Sequence, residues 1–205
     1  MKLGIDTARI GCGVALSMRE DPTKSWSKAL GFGATQPITA GLMDEVFAFY
    51  QAVDAPTAIL QIAPSALPPD WPSIEAGLGL SGGSEWLKLA GPIDGLKPEP
   101  DSPTRLRVEK VRPEHAEEWA RVVLRAFGMP EDLVPMFAAY IDNPAFTPFA
   151  AWDGDELVAG GNLFVCGPIA SLNTASTLPS HQRLGAQSAL VAARIEAAHQ
   201  AAADG

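Results

Sequence analysis

Apolar residues recur along this chain with more than one period, and the change of period separates its elements. Leu42, Val46, Phe49, Tyr50 and Val53 stand at i, i+4, i+7, i+8 and i+11, which is one face of a helix, with Thr39 as its N-cap. The apolar run Ala58-Ile59-Leu60-Gln61-Ile62 predicts a strand. Asp70 is placed to cap a second helix that buries Trp71, Ile74 and Leu78 and ends near Gly79. Residues 84–89 alternate around Trp86 and predict another strand. Residues 1–38 carry no clear period. Gly11-Cys12-Gly13 and Gly31-Phe32-Gly33 mark turns there, and the first triplet lacks the strand-and-helix setting of a dinucleotide loop.

Residues 91–103 interrupt the pattern with Pro92, Pro98, Pro100 and Pro103 and with Gly91 and Gly95, which predicts a semi-extended connector. The expected division is an N-terminal α/β half-domain over 1–100 and a second domain over 101–205. Beyond the connector a strand is predicted at 108–111, and Pro113 fits the first turn of a helix. Ala116, Trp119, Ala120, Val123, Leu124 and Phe127 form its apolar stripe, and Gly128 and Pro130 stop it. Leu133, Val134, Phe137 and Ile141 mark a further helix, ended by Asn143-Pro144. Strands at 149–152 and 157–165 make a hairpin around Asp153-Gly154-Asp155, and 170–178 predicts one more strand. An alanine-rich helix over 185–203 is expected to bury Leu190, Ala193 and Ala197 beside Val191 and Ile195.

Composition narrows the classes. At 47% hydrophobic and 19% charged the chain can build a core, and its net charge of −9 disfavours a phosphate backbone as partner. Cys12 and Cys166 have no metal-ligand or disulfide-framework spacing, so no metal is expected and Cys166 reads as a small buried hydrophobe. No membrane span or signal segment is found, which leads to an expected cytoplasmic location with no membrane partner. Trp26, Trp71, Trp86, Trp119 and Trp152 share no spacing and are assigned to core packing.

The segment between the strand at 170–178 and the last helix carries the chemistry. A helix N-terminus presents unpaired backbone N–H groups and partial positive charge, so a pyrophosphate can sit on it. Gly185 would let the backbone approach the phosphates, and Arg183 could add a charged contact from the rim. The order strand, helix, helix, strand, hairpin, strand, anion loop, helix resembles the GCN5-related N-acetyltransferases. Their acyl-CoA signature, Gln/Arg-x-x-Gly-x-Gly/Ala, reads here Gln182-Arg183-Leu184-Gly185-Ala186-Gln187, with Gln187 where a small residue is usual. The resemblance covers about residues 106–205. An ordinary βα loop, in which Gly185 only eases packing, is the plainer reading of the same residues.

The resemblance implies an acyl-CoA N-acyltransferase-like mixed sheet flanked by helices, preceded by the smaller α/β half-domain. It implies acetyl-CoA as co-substrate, held by Thr177, Leu178, Gln182, Arg183, Leu184, Gly185, Ala186, Gln187 and Ser188. Backbone groups of Thr177 and Leu178 would meet the pantetheine arm and the thioester carbonyl. The acceptor would be an amine of a small molecule or peptide, and a homodimer is compatible with the reading. No residue identifies itself as the general base; Glu109 and Glu156 are the carboxylates to consider, and His181 reads as a rim contact. In the family the fold continues after this helix, so the second domain is expected to lack its C-terminal strands. The unit at 40–90 has the element order of that missing half and reads as a degenerate acetyltransferase repeat. A catalytically inactive CoA-binding or interaction module is the alternative function, and a plain α/β domain holding another phosphate ligand is a third.

Overall fold

Gly11, at φ +56°, turns the chain between two antiparallel strands, β1 (Ile5–Ile10) and β2 (Gly13–Met18). This hairpin opens the first of two compact units, Met1–Leu87 and Lys88–Gly205, in a computed structural model that describes residues 3–97 and 103–203. Part of the predicted connector, 98–102, lies outside the described residues.

In the first unit β3 (Lys28–Leu30) pairs antiparallel with β2, and β4 (Ile59–Gln61) pairs parallel with β3, giving the order β1-β2-β3-β4. A parallel pair needs a crossover, and α1 (Ala40–Ala52) supplies it. Thr39 caps α1 as predicted, its Oγ1 accepting the Leu42 N–H at 3.2 Å. Leu42, Met43, Val46 and Tyr50 are buried with Ala15, Ala29, Phe32 and Ile38. The short helix α2 (Trp71–Gly77) adds Ile74 to that core, while Asp70 precedes it without a side-chain cap bond.

Residues 1–38 and 84–89 differ from the sequence reading. The three strands of residues 1–38 gave no sequence signal, because several inward positions are small or polar (Ala15, Ser17, Ala29) while Ile5, Val14 and Leu30 are exposed. Residues 84–89 form no strand. Leu87 and Leu89 are each 88% exposed, so the alternation there has no sheet or core to face. Trp86 is likewise exposed instead of packed in the core, with the Lys28 ammonium 4.8 Å from its ring centroid.

The second unit is a four-stranded antiparallel sheet in the order β5-β6-β7-β8: β5 (Arg107–Lys110), β6 (Phe146–Asp153), β7 (Glu156–Cys166) and β8 (Ile169–Thr177). Helix α3 (Ala116–Phe127) packs on one face through Trp119, Ala120, Val123 and Leu124, and Gly128 ends it at φ +68°. The Trp119 indole donates to the Phe149 carbonyl at 2.9 Å, which fixes α3 over β6. Phe127, predicted in the buried stripe, is instead half-exposed at the end of α3. The next helix shrinks to α4 (Val134–Ala138) between two 3-10 turns. The long helix α5 (Ala186–Ala203) covers the opposite face with Leu190, Ala192, Ile195 and Ala198, and Val191 is exposed, contrary to expectation. Cys166 is also exposed, because β7 ends there in the tight turn to β8. The mixed α/β architecture of sheets flanked by helices is the one the sequence predicts.

Candidate functional site

Strand β8 ends at Thr177, and the chain needs eight residues to reach α5. The Leu178 N–H donates to the Val158 carbonyl at 2.9 Å, so the turn leaves the sheet only after that bond. Pro179–His181 forms a 3-10 turn, and Arg183 and Gly185 then take left-handed φ values of +64° and +82°. At Gly185 a side chain would be strained, and its Cβ would lie 3.0 Å from Thr104 Cβ. The first bond of α5 runs from the Ala189 N–H to the Gly185 carbonyl at 3.0 Å. The N–H groups of Ala186, Gln187 and Ser188 therefore have no acceptor within the helix.

These groups open on a cleft of about 530 Å³. Its walls are the end of β8 (Ala175, Ser176, Thr177) and the last turn of α3 (Ala126, Phe127), and its rim is His181, Gln182 and Arg183. Gly185, Ala186, Gln187 and Ser188 complete it. Seven of the nine residues expected to hold the co-substrate thus come together. Leu184 and Leu178 do not line this cleft: Leu184 is exposed with its carbonyl accepting from Thr104 Oγ1 at 2.6 Å, and Leu178 lines a separate cleft of about 270 Å³. Across the main cleft the Gln187 carboxamide donates to Thr177 Oγ1 at 2.8 Å.

Among the described residues lining it, the cleft has no carboxylate; its ionisable side chains are His181 and Arg183. His181 is tied at Nδ1 to Ser180 Oγ, 2.9 Å away, and its Nε2 lies 3.7 Å from Asp153 Oδ2, which Arg105 also engages at 2.7 Å. Both carboxylates named as candidate bases stand elsewhere. Glu109 is hydrogen-bonded to Arg107 at 2.5 Å, which holds its carboxyl below the usual range and makes it a poor proton acceptor. Glu156 is exposed on the β6–β7 turn and lines the smaller cleft with Glu118, Arg121 and Arg125.

The first unit repeats the strand–loop–helix order with Gln36, Thr39, Ala40 and Gly41 before and within α1. There the Thr39 hydroxyl occupies the Leu42 N–H, one of the groups an anion would need. Ala175, Ser176, Ala126 and Phe127 were not anticipated as cleft residues. Phe127 had a signal, a phenylalanine directly before the Gly128 stop, but the sequence does not show that this helix end faces the loop before α5.

Neither a family profile nor any curated protein sequence matches the chain. Solved structures do. A GCN5-related N-acetyltransferase from Kribbella flavida superposes with a TM-score of 0.65 at 19% identity, covering 94% of this chain and 73% of that one. An aminoglycoside acetyltransferase from an uncultured soil metagenomic sample matches at 0.42 and 17% identity over 47% of this chain and 73% of its own. A predicted acetyltransferase with acetyl-CoA from Clostridium acetobutylicum matches at 0.41 and 12% identity, over 47% and 75%. The chain has the fold of the GCN5-related N-acetyltransferases.

Proposed function

We propose that this chain is an acetyl-CoA-dependent N-acyltransferase that transfers an acetyl group to an amine of a small molecule or peptide. The observation that carries the reading is the cleft itself: three free N–H groups at the start of α5 lie against the open edge strand β8. The residues fit the co-substrate. Ala186, Gln187 and Ser188 would hold the pyrophosphate through backbone N–H groups, and Arg183 and Gln182 would meet it from the rim. Ala175, Ser176 and Thr177 would flank the arm. In the reaction the amine nitrogen bonds to the thioester carbon, the C–S bond breaks with its electron pair on sulfur, and the proton the amine gives up is matched by the one the thiolate takes as CoA leaves as the free thiol.

The absence of a carboxylate among the described cleft residues favours one second reading, a CoA-binding module without turnover. The first unit, with its parallel β3–α1–β4 crossover and self-capped helix, supports our reading of it as a degenerate repeat of the same fold.

Calorimetric titration of acetyl-CoA into the parent and into Ser188→Glu tests the assignment. An acid in the first turn suits a helix, so the variant folds, yet it repels a phosphate; the expected loss is about 10-fold or more in affinity. Equal affinity would move the ligand away from this loop, and no binding to the parent would sink the proposal. Release of free thiol with a panel of amines then separates the enzyme from the module.

A further inference from the structure

Arg194 is 1% exposed, the largest fully buried side chain after Trp119 among the described residues, and among them it has no carboxylate within ion-pair distance. A buried cation without a counter-ion is expensive, so its hydrogen bonds must do something specific. Its Nε donates to the Leu190 carbonyl on α5 at 2.9 Å. Its Nη1 donates to the main-chain carbonyls of Asn162 on β7 and Asn173 on β8, at 3.3 Å each. Those two residues face each other across the ladder where the β7–β8 register shifts.

On the far side of that shift Gly160 pairs with Ser176, so Gly161 is opposed by both Thr174 and Ala175, a β-bulge in the edge strand. Thr174 sits there at φ +51°, a costly conformation for a threonine that persists only if its surroundings impose it. The Asn173 carbonyl that Arg194 holds belongs to the peptide entering Thr174, and the next three residues, Ala175, Ser176 and Thr177, are the cleft wall. The guanidinium also uses the space over Gly161, where a Cβ would come within 2.9 Å of Arg194 Cζ. Burial pushes Arg194 down to about 10, which leaves it cationic at neutral pH.

We propose that Arg194 is a positioning residue for acyl transfer: it clamps the bulge of β8 from the buried side and so aims the backbone of Ala175, Ser176 and Thr177 into the cleft. The role in catalysis rests on the acyltransferase reading of that cleft; the clamp itself does not. One residue of α5 thus links the helix that presents the N–H groups to the strand that forms the opposite wall. The donors are charge-assisted, which strengthens the polarisation of the Asn173–Thr174 peptide.

Residue-resolved hydrogen exchange on the free chain tests the clamp without any ligand. In Arg194→Met, and independently in Gly161→Ala, which displaces the guanidinium but keeps it, the protected amides of β8 exchange about 10-fold faster. Those of β6 and α5 change by less than about 3-fold, and Arg194→Lys falls between. Uniform loss of protection, or none in β8, overturns the clamp; should Arg194→Met fail to fold, Gly161→Ala and Arg194→Lys decide. For catalysis, Gly161→Ala lowers kcat about 10-fold while affinity for adenosine 3′-phosphate 5′-diphosphate, which carries the pyrophosphate but no arm, stays within about 2-fold. An equal fall in both overturns the positioning role. Failure of the parent to bind that nucleotide sinks the acyltransferase reading instead, with the exchange data still deciding the clamp.

Discussion

The carboxamide of Gln187, on the first turn of α5, donates to the Thr177 hydroxyl at the end of β8, 2.8 Å away. A side chain thereby spans the place where the start of α5 and the strand edge meet. It occupies the position at which the resembling family keeps a small residue. Gln187→Ala removes the span and frees the Thr177 hydroxyl. The expected result is acetyl-CoA affinity higher by about 3- to 10-fold, with stability lower by about 1 kcal/mol for one lost hydrogen bond. Calorimetry and urea unfolding check the two halves. Weaker binding would mean that Gln187 itself contacts the ligand.

Gly185 answers to two constraints, its φ of +82° and the approach of Thr104 Cβ. Gly185→Ala is expected to cost about 1–2 kcal/mol from the left-handed conformation alone. Gly185→Asn costs less, since asparagine tolerates that region, although its Cβ meets Thr104 equally. If both variants lose the same stability, the contact with Thr104 and not φ sets the requirement. The Thr104 hydroxyl meanwhile holds the Leu184 carbonyl at 2.6 Å. Thr104→Val keeps the shape and loses that bond, so acetyl-CoA binding should weaken about 3-fold or more through a looser loop.

Where sequence reasoning succeeded and failed follows from what each residue faces. The stripe of α3 and the Gly128 stop were legible because one large apolar face meets one sheet. The turn between β8 and α5 was legible because Gly185 and the start of α5 follow a strand at the expected spacing. Strands β1, β2 and β3 were hidden because Ala15, Ser17 and Ala29 face inward while Ile5, Val14 and Leu30 are exposed, which leaves little hydrophobic contrast between the two faces. Arg194 shares the spacing of Leu190 and Ala198 on α5, so its inward position could have been read; its polarity argued the other way. The walls from α3 and β8 depend on tertiary placement, and no local pattern encodes that.

The two tyrosines of the chain make its folded state visible to alkali. Burial raises Tyr50 to about 12, and burial also raises Tyr140. In the unfolded chain both titrate near pH 10. Between pH 10 and 12 the folded state therefore binds more protons than the unfolded one, and stability falls as pH rises. Absorbance of tyrosinate should stay low at pH 10 in the native protein and reach about half its maximum in guanidinium at that pH. Tyr50→Phe flattens the alkaline loss of stability. Half-titration of the native protein at pH 10 would contradict the buried placement of both phenols.

Asp21 governs the acid side. Its carboxylate, 7% exposed, accepts from the Thr23 N–H and hydroxyl at 2.8 and 2.7 Å and from the Ser25 and Trp26 N–H groups at 2.7 and 2.8 Å. Burial alone would raise its pKa, but the bonds from Thr23, Trp26 and Ser25 together outweigh burial and hold it below the usual carboxylate value. The unfolded chain then binds a proton that the folded chain does not, so this stabilisation is complete above about pH 5 and is lost as pH falls through the folded value. Asp21→Asn accepts on one oxygen and places an amide among N–H donors. It should lose about 2–3 kcal/mol at pH 7, where the ionised group is worth most, and progressively less as the parent is acidified. Urea unfolding of both proteins at pH 7, 4.5 and 3.5 reads the difference, and stability curves that run parallel across that range would show that the Asp21 charge does not hold this turn.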